Sequence, residues 1–177
     1  MITANDIRGL RAASRDYQKT HTLKTNLALA LRNRSPWYLT LGEFDEILHW
    51  KLRGQYDRQR KQRSANTEET VRAVTGLALS IQHANKEYEL ELRFRILCAL
   101  RGVEVPVASA VLALVFPDKY AVVDFRGWRQ VFGKKRNSFT VPDYKKYLDK
   151  VQLLAKELGW PVQEADLAIW EYDLTHS

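Results

Sequence analysis

Asp124 closes a short apolar run, Ala121-Val122-Val123, and opens the segment Phe125-Arg126-Gly127-Trp128. A carboxylate there can stabilise positive charge developing on a carbon or orient an attacking water. The same residue can also simply cap the helix that follows. Five basic residues and no acid lie between Arg126 and Arg136, namely Arg126, Arg129, Lys134, Lys135 and Arg136. A second stretch, Lys51 to Arg63, carries six basic residues and one acid. On one face, the two stretches would make a surface for phosphates. Trp50 and Trp170 offer rings on which a flat ligand could stack, although the Ile47/Trp50 spacing also suits a core position. His21, His49, His83 and His176 share no ligand spacing, and Cys98 is the only cysteine, so neither a metal nor a cofactor is expected. Cys98 sits in the apolar run Phe94 to Leu100, where an inert thiol is expected.

The elements that must hold these residues are helical. Leu90, Phe94, Leu97 and Ala99 have helical spacing over 87–100, and Gly102 suits the helix stop. Pro106 fits the first turn of a following helix with body Ala108–Val115, apolar nearly all round and therefore expected at the centre. The tight hairpin between them can bring the backbone N–H groups of Gly102, Val103 and Val105 toward one point, a means of holding a phosphate without a basic side chain. Elsewhere, Thr3 and Asp6 suggest a helix to about Lys19, followed by one bearing Leu23, Leu27 and Leu31. Thr40-x-x-Glu43 and Thr140-x-x-Asp143 have capping-box spacing. Asn66 reads as the cap of a helix running to about Ala84, and Glu164–Leu174 as a last amphipathic helix. The expectation is an all-α single domain over 1–177, about nine helices in two small lobes around a cleft, without a sheet.

The bulk properties agree with a folded domain. The 177 residues are 45% hydrophobic and 28% charged, which excludes disorder, and the formal net charge of +7 favours a polyanionic partner. No apolar run reaches the roughly 18 residues of a membrane span, and no signal-peptide pattern opens the chain. These features suggest a cytoplasmic protein, a monomer, with no membrane association.

Residues 97–132 resemble the helix-hairpin-helix and catalytic-aspartate motif of the DNA glycosylase superfamily, nearest to the 8-oxoguanine glycosylase (OGG) fold. The family hairpin Leu-Pro-Gly-Val-Gly-x-Lys-x-Ala is matched by Leu100-Arg101-Gly102-Val103-Glu104-Val105-Pro106-Val107-Ala108, within a motif at about 90–115. The family aspartate segment Val-Asp-x-His-x-Trp is matched by Val123-Asp124-Phe125-Arg126-Gly127-Trp128. The resemblance implies double-stranded DNA as partner, a flipped base, Asp124 as the catalytic residue, and phosphate contacts from the hairpin and Arg126. It further implies a base pocket with an aromatic from the last helix, Trp170; Trp50 is the second candidate ring for that pocket, with a core position as its alternative. Glu104 replaces the hairpin's second glycine. Pro106 replaces the lysine of bifunctional members, which implies a monofunctional N-glycosylase unless Lys51 or Lys119 supplies the amine. The alternative is a non-catalytic helix-hairpin-helix module that binds DNA or a protein partner.

Overall fold

A computed structural model of the chain describes residues 1–11 and 13–176. It is helical throughout, with no β-strand among the described residues. The helices are α1 (Ala4–Ile7), α2 (Tyr17–Arg32), α3 (Leu41–Leu52), α4 (Arg60–Arg63), α5 (Glu68–Ser80), α6 (Lys86–Leu97), α7 (Val105–Val115), α8 (Phe125–Phe132), α9 (Val141–Leu158) and α10 (Val162–His176). Arg8–Leu10 and Arg53–Gln59 form 3-10 turns. None of these helices is long and apolar enough to cross a membrane.

Local chemistry explains the boundaries. The Thr40 hydroxyl accepts from the Glu43 N–H at 3.2 Å while the Glu43 carboxylate accepts from the Thr40 N–H at 2.9 Å. Thr140 and Asp143 repeat this box at α9. The helix expected from Thr3 to Lys19 is instead broken after Leu10, and α2 starts at Tyr17. There the Ser14 hydroxyl and carbonyl accept from the N–H groups of Asp16 and Tyr17, a local alternative to the helical ladder.

Asn66 is not a helix cap. Thr67 caps α5, and Asn66 uses its whole amide on the hairpin, accepting from Arg101 N–H and donating to Arg101 C=O, each at 2.9 Å. Helix α5 also ends earlier than its apolar pattern suggests. The buried Arg93 guanidinium takes the carbonyls of Ala78, Leu79 and Ile81 at 2.7–3.2 Å and closes that end.

Two helices occupy the interior. As its composition predicts, α7 is buried nearly all round, packed by α2, α3, α6 and α10. The second, α10, lies against α1, α7, α8 and α9. The helix expected over Glu164–Leu174 is present, but it is buried beyond one amphipathic face, because its acids are buried as well as its apolar residues. Each acid has a partner elsewhere in the chain: Glu164 with Arg11 and Lys24, Asp166 with Tyr147, Asp173 with Arg126 and Arg129, and Glu171 with the exposed Arg15, which leaves Glu171 Oε2 buried without a hydrogen bond.

Candidate active site

The approach to Asp124 is an extended run, residues 121–123, with no neighbouring strand. Its backbone groups still need partners in a buried setting. Side chains from four elements supply them. Tyr144 of α9 donates to Ala121 C=O at 3.1 Å, and Asp166 of α10 accepts from Val122 N–H at 3.0 Å. Ser109 of α7 accepts from Val123 N–H at 3.1 Å, and Lys51 of α3 donates to Val123 C=O at 3.3 Å. Asp124 is thus delivered by a strap fixed at both edges.

Asp124 caps α8. Its Oδ1 accepts from Arg126 N–H and Gly127 N–H at 3.0 and 2.9 Å. Its Oδ2 points to Lys51, whose Nζ lies 3.7 Å away. One oxygen therefore serves the fold and the other faces a groove of about 1200 Å³. Gly127 is required here, since a Cβ on it would stand 2.1 Å from the Tyr147 hydroxyl. That hydroxyl passes beside α8 and donates to Asp166 at 2.6 Å.

The groove brings together residues far apart in the chain. Lys51, Trp50, Gly102, Asp124, Arg126 and Trp170 all line it. Trp50 is a wall rather than a free ring, buried and donating its indole N–H to Thr20 at 2.9 Å. Trp170 is half-buried and has two guanidiniums near its ring, Arg53 at 4.2 Å and Arg126 at 5.9 Å from the ring centre. Val103 and Val105 do not line the groove. Both are buried, and Val103 N–H closes the turn onto Leu100 C=O. Gly102 takes φ +74°, a left-handed conformation that glycine allows readily. Arg129 and Lys134 also lie off the groove. Arg129 holds Asp173 through two nitrogens at 2.7 and 2.9 Å, while Lys134 is exposed. Of the two alternative amines, Lys51 sits in the groove and Lys119 lies over the Phe116 ring instead.

Burial pushes the Asp166 carboxyl from its ordinary 3.8 up to about 7, against the hydrogen bonds from Tyr147 and Val122 N–H; the Asp124 charge adds to the rise and Lys51 opposes it. The same burial, with the neighbouring carboxylates, raises Tyr147 well above the usual tyrosine range. Burial would also raise Asp173, but donors from Gln130, Arg129 and Arg126 outweigh it and hold that carboxyl low.

Several groove residues escaped the sequence reading. Asp166 and Tyr147 belong to no local motif that marks them as groove residues. Gln163 is buried in the groove wall with its Oε1 unpartnered. Phe125 is 44% exposed at the groove, beside the Arg126 guanidinium. Its exposure follows from its place at the first position of α8, which no hydrophobic periodicity marks. Among the described residues no group of three His, Cys, Asp or Glu side chains could hold a metal ion. Comparison with protein-family models, with curated proteins and with solved structures finds no match to this chain.

Proposed function

We propose that this chain is a DNA-binding protein of the helix-hairpin-helix glycosylase kind, and that it excises a flipped base with Asp124. The observation that carries the reading is the convergence of Asp124, Lys51, Gly102, Arg126 and Trp170 on one groove, although they come from four separate segments of sequence. In this reading Trp170 stacks on the extruded base, and Gln163 Oε1 offers it an acceptor. Asp124 Oδ2 stabilises the oxocarbenium-like sugar as the C1′–N bond breaks. Water then adds at C1′, its proton passes to solvent or the departing base, and an abasic site remains. With Pro106 at the start of α7, where bifunctional members carry a lysine, the reading is of a monofunctional reaction unless Lys51 of the groove supplies the amine.

The non-catalytic alternative draws on one feature, the capping bonds of Asp124 Oδ1. The readings part on Asp124→Asn, which keeps a capping oxygen and removes the charge. Catalysis predicts that base release from a panel of damaged or modified duplexes falls by at least about a hundredfold, while duplex binding persists or tightens. The melting temperature should report a loss of no more than about 1 kcal/mol. Undiminished release from the Asn variant would end the catalytic assignment.

A further inference from the structure

Most cations on the groove wall already have a carboxylate. Arg53 pairs with Asp16 at 2.5 Å, Lys51 with Asp124 at 3.7 Å, Arg126 with Asp173 at 2.9 Å and Arg15 with Glu171 at 3.7 Å. Arg63, the last residue of α4, differs. It is only 7% exposed, it lines the groove, and among the described residues it makes no ion pair. Its guanidinium lies 4.5 Å from the centre of the Tyr56 ring and donates through Nη2 to Tyr56 C=O. Tyr56 is itself held by a hydrogen bond to Asp45 and by stacking on His49. Nη1, in contrast, is buried with no hydrogen-bond partner.

A guanidinium taken out of water without a counter-charge is costly, and an orphaned donor adds to the cost. A neutral acceptor would satisfy Nη1 and leave the charge; an anion satisfies both. The neighbouring Arg58, Arg60 and Lys61 extend the positive potential outward, which favours a polyanion over a single carboxylate. Two features of the hairpin work against its holding that anion. Val103 N–H is engaged in its turn, and Glu104, which also lines the groove, brings a negative charge.

We infer that Arg63 is a phosphate anchor of the groove, binding a backbone phosphate of the nucleic acid through Nη1. The inference rests on the DNA reading above, and its test separates the two. In the first arm, a duplex is scanned with single methylphosphonate replacements, each removing one phosphate charge, against the full chain and its Arg63→Gln variant. One replacement should weaken the wild type about tenfold and leave Arg63→Gln unaffected. The salt slope of the variant should be shallower by about 1, the value for one lost phosphate contact. In the second arm, the Arg63 side-chain nitrogen resonances of the unsubstituted protein are followed by NMR on adding inorganic phosphate, or chloride at equal ionic strength. A shift with phosphate alone supports the anchor even if the glutamine variant fails to fold. Duplex binding in which no position loses its effect in Arg63→Gln overturns the anchor and spares the DNA reading. Absent duplex binding with a phosphate shift overturns the DNA reading and keeps the anion site. Silence in both arms overturns both.

Discussion

Helices α7 and α10 are both interior, but they are buried by opposite chemistry. Helix α7 fills its surroundings with Val, Ala and Leu, and its one polar residue, Ser109, is bonded on both sides, to Pro106 C=O and Val123 N–H. Helix α10 takes Glu164, Asp166, Glu171 and Asp173 into the interior, each no more than 8% exposed. The first helix is held by the removal of apolar surface from water, which needs no particular partner. The second depends on donors from α2, α8, α9 and the N-terminal segment arriving at defined places. The lesson is that two helices can be equally central while one tolerates exchange of its neighbours and the other does not.

The largest expected effect tests the apolar helix. Leu112 is fully buried, so Leu112→Ala should cost about 3–5 kcal/mol in chemical denaturation. The second tests the charged helix. Asp173→Ala strands Arg126 and Arg129 beside a buried site and should cost about 3 kcal/mol, the low end for a broken buried pair because both guanidiniums still reach water. Restoring volume should separate them. Leucine-to-methionine at 112 should recover most of the loss, whereas Asp173→Leu should recover little while both arginines remain. Equal recovery would dissolve the contrast.

The third effect depends on pH. Asp166 has a folded-state value near 7 against an ordinary 3.8. Between those values the unfolded chain has released this proton and the folded chain still holds it, so raising the pH favours unfolding. The contribution is complete below about pH 4 and lost by pH 7, at most about 1.4 kcal/mol per unit. Asp166→Asn should therefore gain on the wild type from pH 4 to 7 and then run parallel to it. Glu89 works in the other sense. Burial pushes it up, but Lys86, His83 N–H and Arg93 bring it from 4.5 to about 2, so its contribution is present above pH 4.5 and fades toward pH 2. A constant gap between Asp166→Asn and the wild type would refute the buried-acid assignment.

The smallest effect on stability belongs to the exposed Lys134. Lys134→Gln should leave the melting curve within about 0.5 kcal/mol, while the salt slope of duplex binding should decrease by about 1 if Lys134 meets a phosphate. An unchanged slope would confine the interface to the groove.

These contrasts also mark what could be read in the chain. The all-round apolar pattern of 108–115, the hairpin glycine, the caps at Thr40 and Thr140 and the Asp124 cap are local signals, and each is where the pattern puts it. The burial of α10 was not legible, because Glu164, Asp166, Glu171 and Asp173 at helical spacing look like a solvated face until their partners, from residues 11 to 147, are known. Asn66 misled for a related reason. Its side chain suits a cap, but a hairpin 35 residues further along the chain competes for it and wins with two bonds. Basic density was likewise an incomplete guide, since Arg126 and Arg129 serve α10 before they could serve a ligand.

The guanidinium of Arg53 over Trp170 makes occupation of that ring a displacement rather than an addition. In the reading proposed above, a flat base stacking on the face that Arg53 covers must first lift a cation that Asp16 also holds, so its affinity is the difference between two stacking contacts and not the worth of one. An obligatory release step of this kind sets a ceiling on the observed association rate. As ligand concentration rises the rate should level off at the frequency with which Arg53 departs, and Arg53→Ala should lift the ceiling.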